Sequence, residues 1–240
     1  MSERFLIRFN LSCRAAEEER REYLEEFKRI QDERIRRLGE KLGRETELLR
    51  GKRVLFLGDS ITSDNLGYRT SVSRVAELCA TDGSVSGATS ADLLPLAKKR
   101  IDEMRYDLIS VMLGANDSVE LIGEERNQVS LDKYAANMEE ILGRAKESGA
   151  SVLLFAITPV HEERFEKSFS DQKKRKSNET VAAYNHRLCE IAEKLEIPLI
   201  PHKWLNDGIF LEKDGIHLTS PGQERLSEAW LVAASNIIKS

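Results

Sequence analysis

Four short stretches of this sequence carry side chains suited to chemistry at a carbonyl carbon. In Gly58-Asp59-Ser60-Ile61-Thr62 a serine stands just past a glycine. A serine hydroxyl attacks a carbonyl only when a base beside it takes its proton. The histidine best placed for that is His217, in Asp214-Gly215-Ile216-His217. An aspartate three residues earlier can accept the Nδ1 proton, fix the tautomer and leave Nε2 facing the serine. Gly114-Ala115-Asn116-Asp117 offers an asparagine amide able to donate to a developing oxyanion. Ser84-Val85-Ser86-Gly87-Ala88-Thr89 offers Gly87, whose backbone N–H no side chain shields. Singly, each stretch also reads as an ordinary turn. Gly-Asp-Ser is not the GxSxG nucleophile elbow. Of the other histidines, His186 falls within a helical pattern and reads as a surface or packing residue, and His202 reads as loop filler. His161 lies past Thr158-Pro159, either solvated or in contact with a substrate.

These residues need elements to hold them together. Arg53-Val-Leu-Phe-Leu-Gly58 is a short apolar run ending in glycine, the pattern of a buried strand. Further strands are expected near 81–86, over 107–113, over 151–158 and over 198–201. Helices are expected over 68–80, 90–103, 131–148, 178–196 and 220–238. Ser220 would cap the last of these, with Pro221 at its first position. Strands alternating with helices imply right-handed crossovers and a parallel sheet covered on both faces. Active sites in such sheets lie beyond the carboxyl ends of the strands, and the four stretches fall there.

Composition sets the outer bounds. The chain has 240 residues, enough for one compact domain plus a modest extension. A net charge of −4 argues against a dedicated nucleic-acid binder. No apolar run is long enough for a membrane-spanning helix. The first ten residues have arginines inside their only apolar stretch and do not read as a secretory signal. The three cysteines, Cys13, Cys79 and Cys189, stand far apart with no metal-ligand spacing. Free thiols in the cytoplasm fit that pattern, with a mature secreted form as the alternative.

The joint order and spacing of the four stretches resemble the SGNH hydrolases, also called the GDSL esterase/lipase family. The Gly58-Asp59-Ser60, Gly87-bearing, GxND and DxxH blocks occur in the family's order. The resemblance covers about residues 52–238. It implies a three-layer α/β/α flavodoxin-like sandwich with a parallel five-stranded sheet. It implies Ser60 as nucleophile, His217 as general base and Asp214 as its orienting partner. The backbone N–H groups of Ser60 and Gly87 and the Asn116 side chain would form the oxyanion hole. No metal or organic cofactor is implied. Asp59, Thr62 and Asp117 are expected to hold the turns. The expected substrate is a small-molecule or glycan ester, such as an acetyl ester. A lysophospholipase or thioesterase acting on longer acyl chains is the alternative within enzymes.

Two segments lie outside this pattern. More than half of residues 14–50 are charged, and Leu24, Phe27, Ile30, Ile35, Leu38 and Leu42 fall near a helical period. Residues 1–51 therefore read as a charged helical extension to a 52–240 hydrolase domain. Its stripe would pack on this chain, on a second copy or on a partner, and an interaction protein docking through it is the third functional reading. The insert at 160–177 carries Lys173-Lys174-Arg175-Lys176, offset by Glu162, Glu163, Glu166 and Asp171. A solvated, mobile loop is expected there, with a cationic flap over an anionic substrate as the alternative.

Overall fold

The computed structural model describes residues 16–202 and 208–239. In chain order the central strands are β1 (Arg53–Gly58), β2 (Cys79–Ser84), β3 (Leu108–Met112), β4 (Ser151–Phe155) and β5 (Leu199–Ile200). They form one five-stranded parallel sheet in the order β2-β1-β3-β4-β5. The chain first builds outward from β1 to β2, then returns to the other side of β1 with β3. That reversal is the topological switch point at which such sheets bind ligands. Gly58 lies level with Ser84 and Met112, so the first three strands end side by side.

The helices are α1 (Glu17–Lys41), α2 (Gly43–Leu49), α3 (Ser60–Ser63), α4 (Tyr68–Val75), α5 (Ser90–Glu103), α6 (Leu131–Glu147), α7 (Glu162–Phe169), α8 (Asn178–Lys194) and α9 (Ser220–Lys239). Side chains alternate along the strands between two cores. Leu55, Leu57, Ile109, Val111 and Leu154 face α5, α6 and α8. Val54, Phe56, Leu108, Leu153 and Phe155 face α1, α2, α4 and α9. Both faces are covered, which is why β1 reads as an apolar run after Arg53 and β3 as one interrupted only by Ser110. Ser110, a polar residue inside β3, accepts the indole N–H of Trp230 at 2.9 Å.

Several expected boundaries move. β2 lies two residues before the expected strand, and α4 stops at Val75 rather than 80. Strand β2 is at the sheet edge and mostly exposed, so it carries no apolar run to mark it. The last helix begins at Ser220 itself, and Thr219 Oγ1 accepts the Gly222 N–H at 3.4 Å. Thr219 is thus the cap, and Ser220 is available to a partner from α1.

The N-terminal helix packs on its own chain, against α4 and α9. Its apolar stripe is only part of the contact. Leu38 is buried, but Leu24 is 46% exposed. Between them Gln31 and Arg34 are buried, and their polar atoms make the join. The Arg34 guanidinium donates to the Leu66 carbonyl, to Ser71 Oγ at 3.2 Å and to Ser220 Oγ at 2.9 Å. Gln31 Nε2 donates to the Asn65 carbonyl at 3.0 Å. Arg37–Glu224 and Lys41–Glu228 ion pairs, each 2.6 Å, flank the contact toward α9. Residues 1–15 of the expected extension, Cys13 among them, lie outside the described residues.

The insert is not a solvated loop. It folds as α7, a 3₁₀ turn at Ser170–Gln172 and a short strand at Lys174–Arg175. That strand pairs antiparallel with Glu120–Leu121, which pairs in turn with Arg126–Asn127. Phe165, 2% exposed, packs against Phe169 with ring centroids 4.5 Å apart. Among the described residues no helix is long and apolar enough to cross a membrane.

If polar anchoring by Arg34 docks α1, then Arg34→Ala should destabilise the protein by roughly 2–4 kcal/mol, because it strips donors from buried acceptors and leaves a cavity. Leu24→Ala should stay within about 0.5 kcal/mol of wild type. Urea unfolding of both variants checks this. Equal effects would mean that the apolar stripe carries the contact.

Candidate active site

The loop after β1 is shaped by close approach. A Cβ on Gly58 would collide with the Thr62 hydroxyl and lie 2.6 Å from the Met112 carbonyl oxygen. Only glycine lets α3 fold back over the ends of β1 and β3. Asp59 caps α3, its Oδ1 accepting the Ile61 N–H at 3.1 Å. Thr62 is fully buried, its hydroxyl 3.2 Å from the Tyr68 hydroxyl. Ser60 is therefore the first residue of α3, directly after its capping Asp59.

The hydroxyl of Ser60 lies 2.9 Å from His217 Nε2, and His217 Nδ1 lies 2.7 Å from Asp214 Oδ2. The other Asp214 oxygen accepts the N–H groups of Ile216 and His217, each at 3.0 Å. Burial by itself would raise the Asp214 pKa. The His217 hydrogen bond, its charge and the two N–H donors outweigh that and hold it below the ordinary value. An ionised Asp214 accepts a hydrogen bond from Nδ1–H, so Nε2 carries the lone pair and accepts from Ser60. Antiparallel pairing of Leu211 with Leu218 closes this turn, and the His161 N–H donates to the Gly215 carbonyl at 2.8 Å. A hydroxyl so held can lose its proton as it attacks, leaving an imidazolium beside a carboxylate.

The loops after β2 and β3 meet beside this relay. Gly87 has φ +80°, and a Cβ there would meet nothing within 4 Å. The glycine is needed for its left-handed backbone rather than to relieve crowding. Asn116 Nδ2 donates to the Ala88 carbonyl at 2.9 Å, which seats the amide on the Gly87 loop. Asp117 accepts the Ser90 backbone N–H at 3.0 Å and the Ser90 hydroxyl at 2.5 Å, and Asn137 Nδ2 donates to that hydroxyl oxygen at 2.9 Å. Burial pushes the Asp117 pKa up to about 6 against the pull of those hydrogen bonds. Asp59 is raised too, chiefly by burial. Both carboxylates hold backbone, as expected from the sequence.

The remaining histidines separate. His186 is at the surface, 3.6 Å from Glu190. His202 is not loop filler. It is buried, stacked on Phe155 at 5.5 Å, and burial presses its pKa down to about 4. His161 is half-buried beside the Asp214–His217 turn and lines a cavity of about 310 Å³ with Pro159, Glu162 and Leu211. Sequence reasoning missed Lys176. It is 2% exposed, and its ammonium donates to the Ala115 carbonyl and to Ser118 Oγ at 2.8 Å. Within a run of four cations nothing marked it as buried. Among the described residues no three His, Cys, Asp or Glu side chains gather as metal ligands would.

A family model described as the GDSL-like lipase/acylhydrolase family matches residues 56–225. No functionally curated protein matches the chain at a significant level. Solved structures share its fold. TesA superposes with a TM-score of 0.60 at 22% identity, covering 78% of this chain and 99% of its own. A lipase/acylhydrolase from Enterococcus faecalis gives 0.63 at 16% identity, covering 77% and 96%. A catalytic mutant of Axe2, an acetylxylan esterase from Geobacillus stearothermophilus, gives 0.62 at 21% identity, covering 78% and 95%.

The Asp214 geometry has a consequence for stability. Its folded pKa lies below the ordinary 3.8, so its contribution is fully present above that value and lost as the pH falls through the folded one. Asp214→Asn should lower the Tm near neutral pH, and the gap to wild type should narrow well below pH 3.8. A gap of constant size across that range would contradict the assignment of an ionised Asp214.

Proposed function

The chain belongs to the GDSL-like lipase/acylhydrolase family, a family of carboxylic ester hydrolases, and on that premise we propose that it cleaves a small acyl ester through an acyl-serine intermediate. The observation that carries the reading is the continuous relay from Ser60 to His217 at 2.9 Å and on to Asp214 at 2.7 Å. Ser60 Oγ attacks the ester carbonyl as His217 Nε2 takes its proton. Asp214 keeps the imidazole in the receptive tautomer and stabilises the imidazolium. The carbonyl oxygen, now anionic, is met by the N–H groups of Ser60 and Gly87 and by the Asn116 amide. The intermediate collapses as His217 returns its proton to the departing alcohol. Water then attacks the acyl-serine as His217 takes its proton, and that proton passes to Ser60 Oγ as the carboxylic acid departs.

Likeness to an acetylxylan esterase supports a small acyl group, with a glycan or another small molecule as the alcohol. We assign the hydrolase unit to residues 52–240 and residues 1–51 to an N-terminal extension, of which the described helix Glu17–Lys41 packs on that unit. The described cysteines, Cys79 and Cys189, are free thiols, which supports work in a reducing, cytoplasmic setting.

Ser60→Ala should abolish labelling by a fluorophosphonate, and labelling at another residue would replace Ser60 as nucleophile. Asn116→Ala should lower kcat by about 10²–10³ with little change in KM, the usual loss for one oxyanion donor. Near-wild-type kcat would remove Asn116 from that role. Across a p-nitrophenyl ester series, turnover should be fastest with acetate. A preference for eight carbons or more would transfer the chain to the long-acyl reading.

A further inference from the structure

The Ala115 peptide, one residue before the oxyanion candidate Asn116, is held on both sides by buried charge. Its N–H lies toward the carboxyl of Asp59 and lowers that group's pKa against the effect of burial. Its carbonyl accepts from the ammonium of Lys176. The same ammonium donates to Ser118 Oγ at 2.8 Å, and that hydroxyl donates to the Gly114 carbonyl at 3.0 Å. The turn 114–118 is therefore gripped at three of its residues, and Asn116 has its backbone fixed from below.

Lys176 comes from the insert and reaches this turn because its backbone is anchored at both ends. Before it, Lys174 and Arg175 pair with Leu121 and Glu120, and the Arg175 guanidinium makes a bidentate contact with Glu120 at 2.7 and 2.9 Å. After it, Ser177 caps α8 by accepting the Thr180 N–H at 3.1 Å. Burying an ammonium is expensive unless charges and acceptors meet it. Here Asp59 and Asp117 both face Lys176, and both are buried. Burial presses the Lys176 pKa down to about 8 against the pull of those carboxylates, so the ammonium is still charged at neutral pH. A plain packing role would be filled at lower cost by an apolar side chain.

We propose that Lys176 is a positioning residue for catalysis, which aims the Asn116 amide at the substrate oxygen by clamping the Ala115 carbonyl. The proposal rests on the esterase reading. Small misplacement of a reacting or stabilising group is enough to cost about 10²-fold in rate.

The test is steady-state hydrolysis of p-nitrophenyl acetate by wild type, Lys176→Met, Asn116→Ala and the double variant, each checked for folding by circular dichroism. Lys176→Met should lower kcat by about 10- to 100-fold with KM within about twofold. In the Asn116→Ala background the same substitution should cost less than about threefold, because the donor it aims is gone. If Lys176→Met does not fold, Lys176→Leu takes its place, since its apolar side chain likewise cannot donate to the Ala115 carbonyl. It should show the same shielding by Asn116→Ala. Retention of kcat in a folded Lys176 variant, or an equal loss in both backgrounds, would overturn the positioning role alone. A wild-type protein that neither turns over the ester nor takes a fluorophosphonate on Ser60 would overturn the esterase reading and this proposal with it.

Discussion

Asp59 is 1% exposed, yet its carboxyl accepts the Ile61 N–H at 3.1 Å and is acted on by the Ala115 backbone from the loop after β3. One buried carboxyl thereby faces both the loop after β1 and the loop after β3. Those loops part at the switch point of the sheet, where the crossovers leave for opposite faces and no strand pairing continues. Their backbone groups are out of water and need partners from the other loop. Asp117 does the same between the loops after β3 and β2, through Ser90. The positions of Ser60, Gly87 and Asn116 all descend from these two carboxylates.

Two buried carboxyls close together are costly to ionise. Burial raises both pKa values, and each carboxylate is counted among the charges acting on Lys176. The cation that answers them is delivered by the insert after β4, so that segment is part of the floor under the site. Its other end touches the relay as well. The His161 N–H holds the Gly215 carbonyl, and Arg164 donates to the Gly208 and Leu211 carbonyls at 2.9 and 3.1 Å. One insert thus supports the turn bearing His217 and the turn bearing Asn116.

The N-terminal helix does comparable work on the opposite side. Arg34 reaches the Leu66 carbonyl, just beyond the helix that carries Ser60, and Ser220, just beyond the turn that carries His217. Gln223 completes this layer: its Oε1 accepts the Tyr68 N–H at 2.8 Å and its Nε2 donates to Asp64 at 2.9 Å. The Ser60 loop and the His217 loop are separated by 157 residues at the Ser60–His217 contact, and buried polar side chains hold them in one frame.

Much of this was legible in the sequence because it is local. Apolar runs marked β1, β3 and β4, helical periods marked α5, α6, α8 and α9, and the order of four short blocks pointed to Ser60, Asp214, His217, Gly87 and Asn116. The edge strand β2 was misplaced because an exposed edge needs no apolar run. Lys176 and Arg34 were invisible for a different reason. In the sequence each is one cation among many, and composition places such cations in water. Their burial depends on acceptors that arrive 61 residues away for Lys176 and 186 residues away for Arg34. A charged side chain becomes interior only when the folded chain brings carbonyls, hydroxyls and carboxylates around it, and that enclosure exists only in the tertiary structure.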